Sequence, residues 1–286
     1  MRYLRLCDLL IAILSLLGTA HHIHAQDRAR GDTSPVRFSS QLKLTTPDQD
    51  YAIRRPVTES DRARIALYRS GHLKPSFETN FTSNSDLSAW EVHIDDNEVL
   101  RSCRSPQSVR ISSEGLALEI LNVTGCGAKW STGQLVSKDR FGFGYFESSM
   151  KIAAIPGVDN AFWMNTTDHY EIDIVEAFHP NSIISTVHQW APAKGAEKTM
   201  VSSRIQVMDN LAEGFHDYGL LWTPTEMIFA VDGIPYLALR TKGAAQGKAL
   251  LRLSNALVPW GNKIPPEPQG NYTTFRSVRV FPLVDN

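Results

Sequence analysis

From Pro75 onward, apolar and polar residues alternate in short runs, each bounded by turn residues. SVRISSEGLALEILNV (residues 108–123) alternates on both sides of Glu114 and Gly115, the pattern of a hairpin. FGYFESSMKIAAI (143–155) alternates until it meets Pro156-Gly157. HDYGLLWTP, EMIFAVDGIPYLALR, ALLRLSNAL and FRSVRVFPL follow as strand-like segments, with VDGIP placing a turn inside the second. No long 3.6-residue periodicity separates them, so the pattern predicts an all-β fold, an antiparallel β-sandwich of two sheets, over residues 75–286.

Upstream the pattern changes twice. Residues 26–74 are polar and irregular apart from ARIALYRS, which suggests one short helix, and they are expected to form a polar linker or N-terminal extension. Residues 1–25 combine Arg2 and Arg5, the apolar run LLIAILSLLGTA (9–20) and a small residue at Ala25. That order is the layout of a secretory signal peptide, cleaved after Ala25 or at Ala20, with a retained membrane anchor as the alternative. The run is short for a bilayer span. A secreted or periplasmic protein without stable membrane association after cleavage is therefore expected.

Composition changes this picture little. With 286 residues, 42 % hydrophobic and 21 % charged, the chain can bury a sizeable core. A formal net charge of -1 gives no argument for nucleic acid as a partner. Beyond Cys7 in the signal-like segment there are two cysteines, Cys103 and Cys126. In an oxidising compartment they make either one disulfide or two independent buried thiols. Asn-x-Ser/Thr sequons begin at Asn80, Asn122, Asn165 and Asn271.

The candidate chemistry lies in EIDIVE (171–176). On a regular strand Glu171 and Asp173 share a face, while Glu176, five residues from Glu171, faces the other way. One extra residue bulged out at Ile174 or Val175 would return all three acids to one face and turn Tyr170, Ile172 and Ala177 to the core. The two Glu would then lie as if four residues apart, about 13 Å at ~3.3 Å per residue. Side chains leaning together by roughly 4 Å each leave a gap near the ~5 Å that a nucleophilic carboxylate and a protonated carboxylic acid need for retaining glycoside cleavage. A structural strand gains nothing from clustered like charges.

EIDIVE with such a bulge resembles the catalytic signature of glycoside hydrolase family 16, the laminarinases, agarases and carrageenases. WSTGQLVSKDRFGFGYFESSMKI (130–152), PGVDNAFWMN with Trp163, FHDYGLLWTPTEMIFAVDG (215–233) and FRSVRVFP resemble other stretches of that family, so the likeness spans about 76–283. It implies a jelly roll of the concanavalin A-like kind with a concave substrate cleft. It also implies a secreted retaining endo-β-glycosidase acting on a polysaccharide, a β-1,3-glucan or a marine galactan such as agar or carrageenan. Carried over by position, Glu171 is the nucleophile, Glu176 the general acid and then base, and Asp173 the group between them. Trp163, His188, Trp190, Trp130 and Trp260 are the candidate sugar-binding residues. DNAFW departs from the W-P-A-x-W of many β-1,3-glucanases, which weighs against a laminarin-type substrate without excluding it. Lys129, Arg204 and Arg252 are candidates for meeting a sulfated sugar. No His/Cys/Asp spacing suggests a catalytic metal, so no cofactor is expected; a structural Ca²⁺ is compatible with the family. A monomer is expected, with a non-catalytic carbohydrate-binding protein on the same fold as the rival reading.

Overall fold

The computed structural model describes residues 36–96, 99–123, 127–190 and 198–284. The chain divides into Met1–Ser34 and Pro35–Asn286, and all described residues belong to the second unit. The signal-like segment, residues 1–25, lies outside them. Among the described residues, no helix is long and apolar enough to cross a membrane.

In chain order the elements are β1 (Lys43–Leu44), β2 (Ile53–Arg55), α1 (Glu59–Arg69), β3 (Phe77–Thr79), β4 (Trp90–Val92) and β5 (Ser102–Arg104). Next come β6 (Val109–Ser112), β7 (Gly115–Glu119), β8 (Trp130–Thr132), β9 (Gln134–Phe141), β10 (Gly144–Lys151) and β11 (Val158–Thr166). Then follow β12 (Tyr170–Phe178), β13 (Ser182–Gln189), β14 (Thr199–Gln206), β15 (His216–Trp222) and β16 (Glu226–Val231). The chain closes with β17 (Ile234–Arg240), β18 (Ala249–Leu257) and β19 (Tyr272–Pro282).

One sheet runs β1-β14-β13-β12-β11-β18-β9-β4 and the other β2-β17-β16-β15-β10-β19-β7-β6, with β3 paired to β19. Both are antiparallel; β5 and β8 form a small parallel pair beside them. The predicted hairpin is β6–β7, where Gly115 at φ +134° closes against the Phe275 carbonyl, a spot with no room for a Cβ. The VDGIP turn joins β16 and β17, with Asp232 at φ 50° and Gly233 at φ 79°.

The sandwich interior follows from the alternation. Phe162 and Met164 on β11, Ile172 and Ala177 on β12, Phe146 on β10 and Leu220 and Trp222 on β15 are buried in one cluster between the sheets. Fully burying each such side chain contributes about 1.5–3 kcal/mol, enough to fix which face of every strand turns inward.

Residues 36–74 do not hang loose, in contrast to the expected linker. β1 pairs with β14 and β2 with β17, extending one edge of each sheet. α1 lies on the outer face of the second sheet, where Ile65 and Tyr68 join Tyr145, Leu221, Ile228 and Phe281 in a separate buried cluster. Thr58 and Asp61 form a capping box at its start, and Arg55 holds Asp61 through bonds of 2.6 and 2.8 Å. At its end Arg69 pairs with buried Glu147 and with Asp217. Strands of two and three residues, and a helix with two buried apolar anchors, give periodicity too little length to register.

Candidate active site

The acids stand on the face of the first sheet that turns away from the core, and a bulge puts them there. Asp173 pairs with Thr186 and Glu176 with Ile184, so three steps along β12 match two along β13. On the other side Trp163 pairs with Asp173 and Phe162 with Val175, two steps against one. The extra residue is therefore Ile174, one of the two positions expected. Ile172, Ile174, Val175 and Ala177 all enter the core, with Tyr170 packed against it, and Glu171, Asp173 and Glu176 share the opposite face. Ser185 Oγ donates to the Ile174 carbonyl at 2.7 Å and bonds Tyr236 Oη at 2.6 Å, satisfying a backbone acceptor at the bulge.

A hydrogen bond orients Glu171, and His188 lies beside it and Asp173. Asn165 Nδ2 donates to Glu171 Oε2 at 3.0 Å. His188 Nε2 lies 3.1 Å from Asp173 Oδ2 and 3.9 Å from Glu171 Oε1. Burial holds the His188 imidazole below its ordinary pKa, against the opposing pull of the Glu171 and Glu176 charges. Burial, then the charges of Glu171 and Glu176, push the Asp173 carboxyl well up. Burial also raises Glu176; its hydrogen bond with Asp159 and the charges of His188 and Arg204 offset part of that rise, and Glu171 adds to it. Ligand atoms of Glu171, Asp173 and His188 lie within 4.8 Å of one another.

Aromatic rings flank the acids on both neighbouring strands. Trp163, half-buried on β11, donates from Nε1 to Ser254 Oγ at 3.0 Å, and the Arg252 guanidinium lies 4.9 Å from its ring centre. Trp190, just past β13, stacks on His188 at 5.5 Å and 19°, with Lys198 Nζ 4.1 Å from its ring centre. Trp130 departs from the expectation: it is buried beside Ile120, Ala153, Val158 and Leu257 in a satellite core, with Lys129 over its ring. Trp260 is 53 % exposed on the loop after β18. Arg252 and Arg204 stand on the same face as the acids, paired with Trp163 and Ile184 respectively. Cys103 is disulfide-bonded, while Cys126 lies outside the described residues. The sequon at Asn165 has its side chain committed to Glu171.

Two further residues on this face escape a reading focused on EIDIVE, namely Asn165 and Asp159. Asp159 is 8 % exposed and reaches the Glu176 carboxyl. Both share the parity of Trp163 on β11, Asn165 two residues after it and Asp159 four before, and that parity is the signal that finds them.

Residues 96–255 match the family described as glycosyl hydrolases family 16. An endo-1,3-1,4-beta-glycanase, ExsH of Rhizobium meliloti (strain 1021), is 30 % identical over 168 residues, 56 % of this chain and 31 % of that protein. A beta-glucanase of Acetivibrio thermocellus is 28 % identical over 178 residues, 60 % of this chain and 52 % of that protein. The matches thus span about a third to a half of these relatives' length. Among solved structures, the laminarinase catalytic domain from Thermotoga maritima MSB8 superposes with a TM-score of 0.64 at 17 % identity, covering 74 % of this chain and 99 % of that one. The endo-beta-1,3-glucanase from Pyrococcus furiosus gives 0.63 at 18 % identity, covering 75 % and 96 %. At such identities the likeness carries the fold alone, a sandwich of two antiparallel sheets. With the family match covering more than half of its residues and the bulged acid strand at its centre, this chain belongs to glycosyl hydrolases family 16.

Proposed function

We propose that the chain is a retaining endo-β-glycosidase cleaving a β-glucan that contains 1,3 linkages, exported under the direction of residues 1–25 and acting as a monomer through its domain at 75–286. The observation that carries this reading is the bulge at Ile174, which aligns Glu171, Asp173 and Glu176. Names of the relatives, glycanases and glucanases of 1,3 and 1,4 linkages, favour a glucan over a galactan.

In this mechanism Glu171, held by Asn165, attacks the anomeric carbon and forms a glycosyl ester. Glu176 gives its proton to the departing oxygen and then takes one from the incoming water. Asp173, raised by burial, adds little charge between them. Trp163 and Trp190 offer ring faces to sugar units on either side of the cleaved bond. Reducing-end release from laminarin, lichenan, agarose and carrageenans tests the reading. Release from a glucan supports it; binding without release from any of them indicates the carbohydrate-binding alternative. Proton NMR of the first product gives β configuration if the enzyme is retaining.

A further inference from the structure

Asp159 stands on β11 two residues before Ala161, the partner of Glu176 in the ladder, and so occupies the diagonal position on the same face. Its carboxyl and that of Glu176 lie within hydrogen-bonding reach. Asp159 is only 8 % exposed, and its Oδ1 has no hydrogen-bond partner among the described residues. Two ionised carboxylates in such contact repel strongly in a buried site, so the resting pair favours holding one proton between them.

We infer that Asp159 is a positioning residue for Glu176, the two carboxyl groups sharing one proton across a buried hydrogen bond so that the pair presents an acid to the leaving oxygen. The inference rests on the reading of Glu176 as general acid. Groups facing the pair are Glu171 and Asp173 on β12, His188 on β13, Arg204 on β14 and Arg104 on β5; Arg252 on β18 faces Glu171. Arg104 is engaged by Asp95 at 3.0 Å, so its charge on the pair is already shared. Burial, followed by the charge of Glu176, drives Asp159 well above the usual carboxylate range, which agrees with a retained proton.

The shared proton balances the reaction. When it passes to the glycosidic oxygen, the C–O bond breaks and Glu171 forms its ester. The pair gains a negative charge as Glu171 loses one. When water attacks, its proton returns to the pair, its oxygen bonds the anomeric carbon, and the ester bond to Glu171 breaks. The total charge of the three groups is the same at each stage, so the buried site never accumulates charge.

The test is Asp159→Asn, which keeps the shape but carries no charge and donates to ionised Glu176. The basic limb of kcat/KM should move toward acid by at least about half a pH unit. Cleavage of the glucan should fall at least about tenfold, within the range of general acid catalysis, while an aryl glycoside with an acidic leaving group keeps its rate. A purely structural Asp159 would lower both rates alike and leave the limb in place, and that result overturns the inference. A second measurement needs neither activity nor that variant. In protein labelled with ¹³C at Asp carboxyls, the Asp159 signal should titrate above the ordinary Asp range, and Glu176→Gln should move it down. An Asp159 titration indifferent to Glu176→Gln also overturns the pair. A wild-type protein inactive on every glycan would sink the glycosidase reading alone, leaving the carboxyl titration to decide the pair.

Discussion

Glu171 and Glu176 lie five residues apart along β12, yet their partners on β13, His188 and Ile184, lie four apart. That difference of one residue is what returns two carboxyl groups of opposite parity to one face. It also gives each a distinct setting: Glu171 with Asn165 and His188, Glu176 half-buried against Asp159.

Those settings predict different failures. Glu171→Gln should abolish turnover on glucan and aryl glycoside alike, because no nucleophile remains. Glu176→Gln should cost roughly 10²–10⁴ in kcat on the glucan, the usual range for lost general acid catalysis, and much less in glycosylation by an aryl glycoside. Steady-state and burst kinetics on the two substrates would check this. Equal losses on both by the two variants would mean the roles are misassigned.

The bulge makes a second prediction. Deleting Ile174 leaves Val175 as the single core-facing residue between Asp173 and Glu176, and the regular alternation then keeps all three acids on one face. That deletion should fold and retain measurable activity. Inserting one Ala between Ile174 and Val175 should abolish activity by turning Glu176 away from Glu171. Circular dichroism with reducing-sugar assays distinguishes the outcomes; an active insertion variant contradicts the geometry.

Raised carboxyls cost stability. Asp173 and Glu176 both sit above their ordinary pKa because burial disfavours their charged forms. The folded state therefore binds more protons than the unfolded state above the ordinary carboxylate range, and stability falls as pH rises through the window up to the folded pKa. Asp173→Asn or Glu176→Gln removes that cost. Tm should rise by a few degrees at pH 7, with the gain vanishing near pH ~4, where both states are protonated. Calorimetry at the two pH values checks the sign.

Much of this was legible before any coordinates. ALLRLSNAL coincides with β18, and EIDIVEAF lies within β12, its alternation interrupted once, at the bulge. The need for a bulge was also legible, since the parity of Glu176 admits few other solutions. The N-terminal stretch was not: Arg55, Arg69 and their carboxylate partners hold it by ionic contacts between residues far apart in sequence, which no local pattern reports. Trp130 was misassigned for a related reason. Apolar bulk alone does not tell a sugar-facing ring from one buried beside Val158 and Leu257.

The docked helix gives a stability prediction of opposite sign to that of the active-site acids. Burial by itself would raise Asp61, but hydrogen bonds from Arg55 and from the Thr58 backbone and hydroxyl outweigh it and lower the carboxyl to about 2. A lowered carboxylate stabilises the fold above the unfolded pKa of 3.8, and that contribution is lost as pH falls through about 2. By linkage it is worth about 2 kcal/mol at neutral pH. Asp61→Asn also leaves the half-buried Arg55 guanidinium with Glu226 as its remaining carboxylate. Urea unfolding at pH 7 should therefore show a loss of about 2 kcal/mol or more, shrinking as the pH approaches 2. Glucan cleavage at moderate temperature should be unchanged, because α1 covers the sheet opposite the acids. A loss of activity in a fully folded Asp61→Asn protein would show that the helix does more than hold the second sheet.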